Sequence, residues 1–220
     1  LALGTLTASL PYDVFIYDNS GTLTLESLAW TNGTSRATAL VLQDGVLSKT
    51  GALTRRYLGT FYTTATTTTE DSASKRLLWN MYNREPRNLL ANDATTSWTY
   101  STDTWRQARA STANQVAVIA GQPTLVETNV QALSHSSAAP PANRYTSIGV
   151  GSTSSASGDT LGYRAGASFA DNGYATLKTF QPVGYQYYAW LERSEATSTT
   201  TWYGLSGSSI KSGIHGLIFN

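Results

Sequence analysis

The side chains that could do chemistry in this sequence are few and widely separated. Glu192 and Glu195 lie close together near the end of a predicted strand, whereas glycoside hydrolysis needs two carboxyl groups that converge on one cleft. The stretch GLSGS, which begins at Gly204, misses the G-x-S-x-G pattern of a nucleophile elbow. We therefore interpret the two glutamates as solvated charges and expect no enzyme activity.

Metal and cofactor chemistry has equally little support in the sequence. The chain has no cysteine, and its two histidines, His135 and His215, have no carboxylate at ligand spacing. No glycine-rich loop opens a helix in the way that phosphate binding requires. The sequence therefore predicts neither a metal site nor a cofactor.

Aromatic side chains are the most numerous candidates for ligand contacts. The chain has 6 Trp and 13 Tyr, and many of them fall near predicted turns or strand ends. Rigid rings in such places give sugars or protein partners a large contact area at a small cost in conformational entropy. The residues predicted to be exposed and to bind a ligand are Tyr174, Tyr188, Trp202 and Tyr203. The alternative is that these rings pack a core or a subunit interface.

Composition limits both the partners and the number of domains. A net charge of +1, with only 13% charged residues of scattered sign, provides no broad basic surface for nucleic acid. The apolar runs are far shorter than the ~20 residues that cross a bilayer, so we expect no membrane insertion. A chain of 220 residues fits one domain, spanning 1–220. Within it we expect a hairpin-plus-helix subregion at 1–90 and a β-sandwich subregion at 91–220.

Turn signals alternate with short β-prone runs along most of the chain. The sequences DNSG at Asp18–Gly21 and DG at Asp44–Gly45 predict two hairpins near the N-terminus. In GYQYYAWLER, Tyr185 and Tyr187 alternate with Tyr188, which is typical of a strand that uses both faces. Roughly ten to thirteen such strands predict an all-β, jelly-roll-like β-sandwich.

One stretch, TEDSASKRLLWNMYNR, is predicted to form a short α-helix over about residues 70–83. Thr69, Asp71 and Ser72 offer side-chain oxygens to the free amides of a helix start, and apolar residues follow at helical spacing. Pro86 excludes helical geometry at the residue before it. We expect this helix to clip two β layers together or to form a subunit contact. Its predicted packing residues are Leu77, Leu78, Trp79, Met81, Tyr82 and Arg84.

Several long motifs resemble a β-rich domain of tailed-bacteriophage virion proteins, which are described as head-fibre-like or tail-fibre-like. The motifs are YDNSGTLTLE, QDGV, TRRYLGT and KRLLWNMYNR, and the similarity continues through TWRQARASTANQVAVIAG, YYAWLE and TTTWYG over nearly the whole chain. The resemblance implies a structural or adhesive domain on the virion surface that forms a homotrimer. It implies no catalytic residues.

The sequence leaves several functions and locations open. The chain begins at Leu1 rather than Met, and we expect it to be part of a longer protein whose N-terminal part attaches to the capsid or tail. A receptor-binding module for a host surface glycan and a bacterial carbohydrate-binding module are alternatives to a purely structural role. A polysaccharide-cleaving spike would need paired carboxylates in a groove. Head and tail locations fit the motifs equally well.

Overall fold

The chain is described by a computed structural model, which covers residues 3–136, 143–158, 161–162, 164–165, 170–197, 199–206 and 210–220. Over these residues the chain forms β-strands and one short turn of 3-10 helix at Ala108–Ala110. The strands assemble into several sheets that pack together. The prediction of an all-β sandwich is therefore confirmed.

The strands are numbered in chain order. The first nine are β1 (Pro11–Asn19), β2 (Thr22–Ala29), β3 (Leu40–Gln43), β4 (Val46–Lys49), β5 (Ala52–Ala65), β6 (Thr68–Thr69), β7 (Lys75–Arg76), β8 (Leu78–Asn80) and β9 (Pro86–Asn92). The next five are β10 (Ser97–Tyr100), β11 (Arg106–Gln107), β12 (Gln115–Ala120), β13 (Thr124–Ser136) and β14 (Arg144–Val150). The last eight are β15 (Leu161–Gly162), β16 (Arg164–Ala165), β17 (Asp171–Gln181), β18 (Gly184–Ser194), β19 (Thr200–Tyr203), β20 (Leu205–Ser206), β21 (Ile210–Lys211) and β22 (Gly213–Phe219).

The N-terminal sheet has the strand order β2–β1–β5–β4–β3, and β6 and β8 also pair with β5. Both predicted hairpins are present in it, each with a two-residue turn. Ser20 and Gly21 have φ angles of 52° and 85°, and Asp44 and Gly45 have φ angles of 51° and 82°. Positive φ at both central positions suits the right-handed twist of a hairpin, which explains the Ser-Gly and Asp-Gly pairs.

Most of the remaining strands form two sheets that face each other, and β20 and β21 form a separate two-stranded sheet. One sheet has the order β10–β19–β13–β17–β15, with β22 paired to β13 and β9 paired to β22. The other has the order β16–β14–β18–β12–β7, with β11 also paired to β18. Their facing sides enclose the main core, which includes Leu89, Val116, Val126, Val130, Ile148, Trp190, Trp202 and Ile214.

A second core, which we call the junction core, joins the N-terminal sheet to this sandwich. Phe15, Tyr57 and Trp79 of the N-terminal sheet pack with Ile119 of β12. Gly121, just after β12, permits the close approach, because a Cβ atom there would lie 2.1 Å from the Tyr57 hydroxyl and 2.4 Å from Trp79 Cε3. A side chain at this position would therefore push the two sheets apart.

A buried ion pair lies at the same junction. Arg36, between β2 and β3, places its Nε 2.7 Å from Asp13 Oδ2. Arg36 Nη2 donates to the Gly121 carbonyl oxygen at 2.7 Å and to the Tyr57 hydroxyl at 3.3 Å. Thr60 donates to the other carboxylate oxygen of Asp13 at 2.7 Å. One guanidinium group thus connects β1 of the N-terminal sheet to the end of β12.

The prediction of an α-helix over residues 70–83 is wrong, because this segment forms β7 and β8. Side-chain exposure alternates along it, with Leu77 at 1%, Leu78 at 43% and Trp79 at 2%, which is the period of a strand. Leu78 lies opposite Phe61 of β5, and β7 pairs in parallel with β12. A helix this short gains most of its stability from tertiary packing, so the pairing offered by distant strands overrides the local helical signals.

The other predicted packing residues of this segment divide between core and surface. Met81 packs against the junction core that contains Trp79, and the Arg84 guanidinium lies 5.3 Å from the centre of the Trp79 ring. Leu78 and Tyr82 are exposed. The segment therefore fastens the N-terminal sheet to the sandwich as two short strands.

The alternating burial predicts unequal effects of two neighbouring leucines. Replacing Leu77, which is 1% exposed, by Ala is expected to lower the free energy of unfolding by about 2–5 kcal/mol. The matched change at Leu78, which is 43% exposed, removes the same atoms and is expected to cost less than about 1 kcal/mol. Urea denaturation followed by tryptophan fluorescence measures both changes. Equal losses at the two positions would contradict the strand register.

Candidate functional site

The structure separates the four aromatic residues that were predicted to bind a ligand. Tyr188 and Trp202 are fully buried in the main core, so their prediction as exposed ligand-binding residues is wrong. Burial raises the pKa of Tyr188, whose hydroxyl donates to Gln181 Oε1 at 2.7 Å. Tyr174 is 49% exposed and Tyr203 is half-buried. Of the four, these last two remain candidates for ligand contact.

Tyr174 and Tyr203 lie on the same solvent-facing side of one sheet. Tyr174 is opposite Gln131 of β13, and Tyr203 is opposite Leu133 of the same strand. Residues two apart on a strand face the same side, so both tyrosines flank β13 on its outer face. Asn172 also lies opposite Leu133. We call Tyr174, Tyr203, Gln131 and Asn172 the tyrosine patch.

The other end of this outer face is apolar. Phe180 is 74% exposed and Phe219 is 38% exposed. Together with Leu125 they border a cavity of about 340 Å³. An ion pair between Lys178 and Glu127 lies between the two ends. The outer face therefore offers rings with amide neighbours at one end and phenylalanines without such neighbours at the other.

Glu192 is a buried structural acid. It has no exposed surface, and it accepts hydrogen bonds from Trp98 Nε1 at 2.7 Å, Arg106 Nε at 2.8 Å and the backbone N–H of Arg109 at 3.1 Å. Burial raises the pKa of Glu192, although the bonds from Trp98 and Arg106 act in the opposite direction. The interpretation of Glu192 as a solvated charge is therefore wrong, and its oxygens are occupied by protein donors.

Asp93, like Glu192, binds Arg109 in the loop between β11 and β12. Its Oδ2 accepts from Arg109 Nε at 2.8 Å and from Asn114 Nδ2 at 2.6 Å, and its Oδ1 accepts from the Thr95 N–H at 2.8 Å. Burial acts to raise the pKa of Asp93, but these hydrogen bonds outweigh it and lower the pKa from 3.8. Arg109 has a φ of 57°, which is uncommon for a residue with a side chain. Asp93 and Glu192 thus hold the loop between β11 and β12 in a strained conformation.

Tyr185 was not among the predicted ligand-binding residues. It nevertheless borders a cavity of about 420 Å³ on the sheet that contains β12 and β18. Its ring stacks on that of Tyr62, with centroids 4.3 Å apart. The register of β18 puts Tyr185 and Tyr187 on the face opposite the buried Tyr188. The alternation in GYQYYAWLER places Tyr185 and Tyr188 on opposite faces, but the burial that distinguishes the two faces is set by the packing of the sheets.

Across the residues that the structure describes, no group of three or more His, Cys, Asp or Glu side chains is placed to hold a metal ion. Those residues also contain no helix long and apolar enough to cross a membrane.

Comparison with known proteins gives no relative from which a role could be carried over. No protein-family model, curated protein or solved structure matches this chain. The resemblance to phage virion proteins therefore stays a prediction from the sequence motifs.

The contacts of Asp93 predict a loss of stability in acid. Because the pKa of Asp93 lies below 3.8 in the folded state, its stabilising effect is complete above about pH 3.8 and is lost as the pH falls through the folded pKa. Replacing Asp93 by Asn is expected to lower stability at neutral pH, and the difference from the unmodified protein should shrink below about pH 3.8. Urea denaturation over a series of pH values measures this difference.

Asp103 provides a control for this pH series. Its side chain is 47% exposed and pairs with Arg193, so replacing it by Asn is expected to change stability little at any pH. A difference at Asp93 that stays constant down to strongly acidic pH would contradict the assigned role.

Proposed function

We propose that this chain is a non-enzymatic structural and adhesive domain on the surface of a tailed-bacteriophage particle. The observation that carries the non-enzymatic part is the use of its buried acids. Asp13, Asp93 and Glu192 each accept a hydrogen bond from an arginine side chain. A glycoside hydrolase would need two carboxyl groups facing one open groove, with room for substrate and water.

The phage part of the proposal rests on the sequence motifs and on their positions in the fold. YDNSGTLTLE belongs to the β1–β2 hairpin, TRRYLGT lies in β5, and KRLLWNMYNR contains β7 and β8. These motifs supply Tyr57 and Trp79 of the junction core. The resemblance therefore concerns residues that set the architecture, which supports a shared structural role.

The homotrimer is proposed to form through the exposed side of the N-terminal sheet. Leu23 is 76% exposed and Leu25 is 38% exposed on β2, which is an edge strand. An exposed apolar edge strand favours pairing with another chain. Trp79, which was expected at a subunit contact, is buried inside the chain, so Leu78 and Tyr82 are the residues of its segment that remain available.

We assign the adhesive part of the function to the tyrosine patch. Its two phenol rings provide flat surfaces, and the amides of Gln131 and Asn172 provide donors and acceptors next to them. Rings with a few placed polar groups are typical of small-ligand recognition. A host surface glycan is the partner that this combination suits.

A bacterial carbohydrate-binding module is the second candidate function, and the tyrosine patch favours it as well. The two candidates differ in assembly, because such a module is expected to be a monomer. They also differ in location, because a bacterial module would be absent from phage particles.

Antibody labelling of intact particles tests the proposed location. Gold-labelled antibodies against this chain are expected to mark particles of the source phage in electron micrographs. Label over the capsid would indicate a head fibre or decoration, and label at the tail tip would indicate a tail fibre. Light scattering of the purified chain, whose monomer mass is 23.6 kDa, is expected to give a trimer. Unlabelled particles together with a monomeric chain would contradict the proposal and favour the bacterial module.

The adhesive assignment predicts a specific loss of cell binding. Replacing Tyr174 and Tyr203 together by Ala is expected to weaken binding of the fluorescently labelled chain to host cells by about tenfold or more, since aromatic contacts commonly dominate binding. Phe180→Ala is the control, because Phe180 is 74% exposed and lies on the same outer face but outside the tyrosine patch. Equal binding by all three proteins would contradict adhesion through the tyrosine patch.

A further inference from the structure

A polar cleft lies on the outside of the sheet that contains β12 and β18, on the opposite layer of the sandwich from the tyrosine patch. Its volume is about 420 Å³. Small-molecule sites commonly occupy about 300–1,000 Å³, so the cleft is large enough for such a ligand. The side chains that border it include Ser74, Lys75, Thr112, Gln115, Ala117 and Tyr185. We call it the Tyr185 cleft.

The wall and floor of the cleft are fixed by packing. The Tyr185 ring stacks on Tyr62 with 17° between the ring planes, and the Tyr185 N–H donates to the Gly33 carbonyl oxygen at 2.8 Å. Ala117 is 2% exposed and lies opposite Tyr187, and its small side chain leaves the depth of the cleft open. A ligand would therefore meet a ring already held in place, which reduces the entropic cost of binding.

Hydroxyl and amide groups surround this ring. Gln107 Nε2 donates to Gln115 Oε1 at 3.1 Å, which leaves the amide nitrogen of Gln115 as a donor. The hydroxyls of Ser72 and Ser74 lie 3.3 Å apart. Thr112 adds an exposed hydroxyl on the opposite rim. The cleft thus presents neutral donors and acceptors around one aromatic ring.

The charges at the cleft balance each other. Lys75 Nζ lies 2.9 Å from Glu70 Oε2, and the Ser72 hydroxyl donates to Glu70 Oε1 at 2.7 Å. The hydrogen bonds from Ser72 and Lys75 lower the pKa of Glu70, so this carboxylate is ionised at neutral pH and offsets the ammonium charge. The cleft therefore favours a neutral ligand over an anionic one.

A second cavity of about 360 Å³ adjoins the first and shares Thr112 with it. Thr112 borders both cavities, and the hydrogen bond between Gln107 and Gln115 joins their linings. Thr153 and Ser154 add two more hydroxyl side chains on the far side. Two adjoining cavities of this size have room for a ligand longer than a single ring.

We propose that the Tyr185 cleft binds a neutral oligosaccharide. One sugar ring packs against the side of the Tyr185 ring that borders the cleft, and its hydroxyls pair with Ser74, Thr112 and Gln115. The next sugar unit extends past Thr112 into the second cavity. This site goes beyond the proposed function, because it depends neither on a particle location nor on the tyrosine patch.

Titration of the full chain with neutral trisaccharides, followed by NMR chemical shifts, tests the proposal. Maltotriose and chitotriose are the probes, and at least one is expected to give saturable shifts with a Kd of about 1 mM. Tyr185→Ala is expected to weaken this binding by about tenfold. Thr112→Arg, at an exposed position that leaves the core untouched, is expected to block both cavities. Tyr17→Ala, which changes a half-buried tyrosine of β1, is the matched tyrosine control and should bind as the unmodified chain does. Tyr174→Ala separately tests whether the sugar binds at the tyrosine patch instead.

Several results would overturn the proposal. One is the absence of saturable shifts with both trisaccharides, and another is binding that survives both Tyr185→Ala and Thr112→Arg. Tighter binding of sialyllactose, which is anionic, would contradict the neutral class of ligand. Binding lost only in Tyr174→Ala would assign the sugar to the tyrosine patch. Particle labelling is measured separately, so failure of this test and failure of the proposed function are distinguishable.

Discussion

The Arg36 guanidinium, which is paired with Asp13, links the N-terminal sheet to the sandwich through the Gly121 carbonyl oxygen. Both side chains are largely removed from water, with 12% and 3% of their surface exposed. Burying two charges costs several kcal/mol per ion unless geometry and further hydrogen bonds compensate. Here Thr60 donates to the carboxylate, and the guanidinium also reaches the carbonyl oxygen of Gly121. A planar group with fixed donor directions satisfies both partners in one orientation of the sheets, and we infer that the ion pair contributes more to specificity than to net stability.

The Tyr185 cleft is a consequence of this junction. One of its stacked rings, Tyr62, belongs to the N-terminal sheet, and the other, Tyr185, belongs to the sandwich. The loop that carries Arg36 also carries Gly33, whose carbonyl oxygen accepts from the Tyr185 N–H. Gly184 has a φ of 122°, and a Cβ atom there would lie 2.8 Å from that oxygen, so this approach also requires glycine. The same loop therefore fixes the sheet contact and the wall of the cleft.

Local patterns in the sequence were sufficient for the hairpins and for the alternation in β18. They were not sufficient for residues 70–83, where Leu77 and Met81 fit a helical spacing and Leu77 and Trp79 fit a strand spacing equally well. The choice between them depends on pairing outside the segment, with β5 before it and with β12 farther along the chain. Alternation also divides β18 into two faces without saying which one is the core, and both faces carry tyrosines. That choice depends on how the sheets stack, which explains why Tyr188 was mistaken for a surface residue.

The buried acids help to position the rim of the proposed binding cleft. Asp93 and Glu192 both hold Arg109, and the loop that follows Arg109 carries Thr112 to the rim of both cavities. Only 13% of the residues are charged, and pairs such as these use several of the charges internally. The surfaces left for recognition therefore consist largely of rings, hydroxyls and amides. Interactions of that kind are not screened by salt as ion pairs are, so recognition by this domain should depend little on ionic strength.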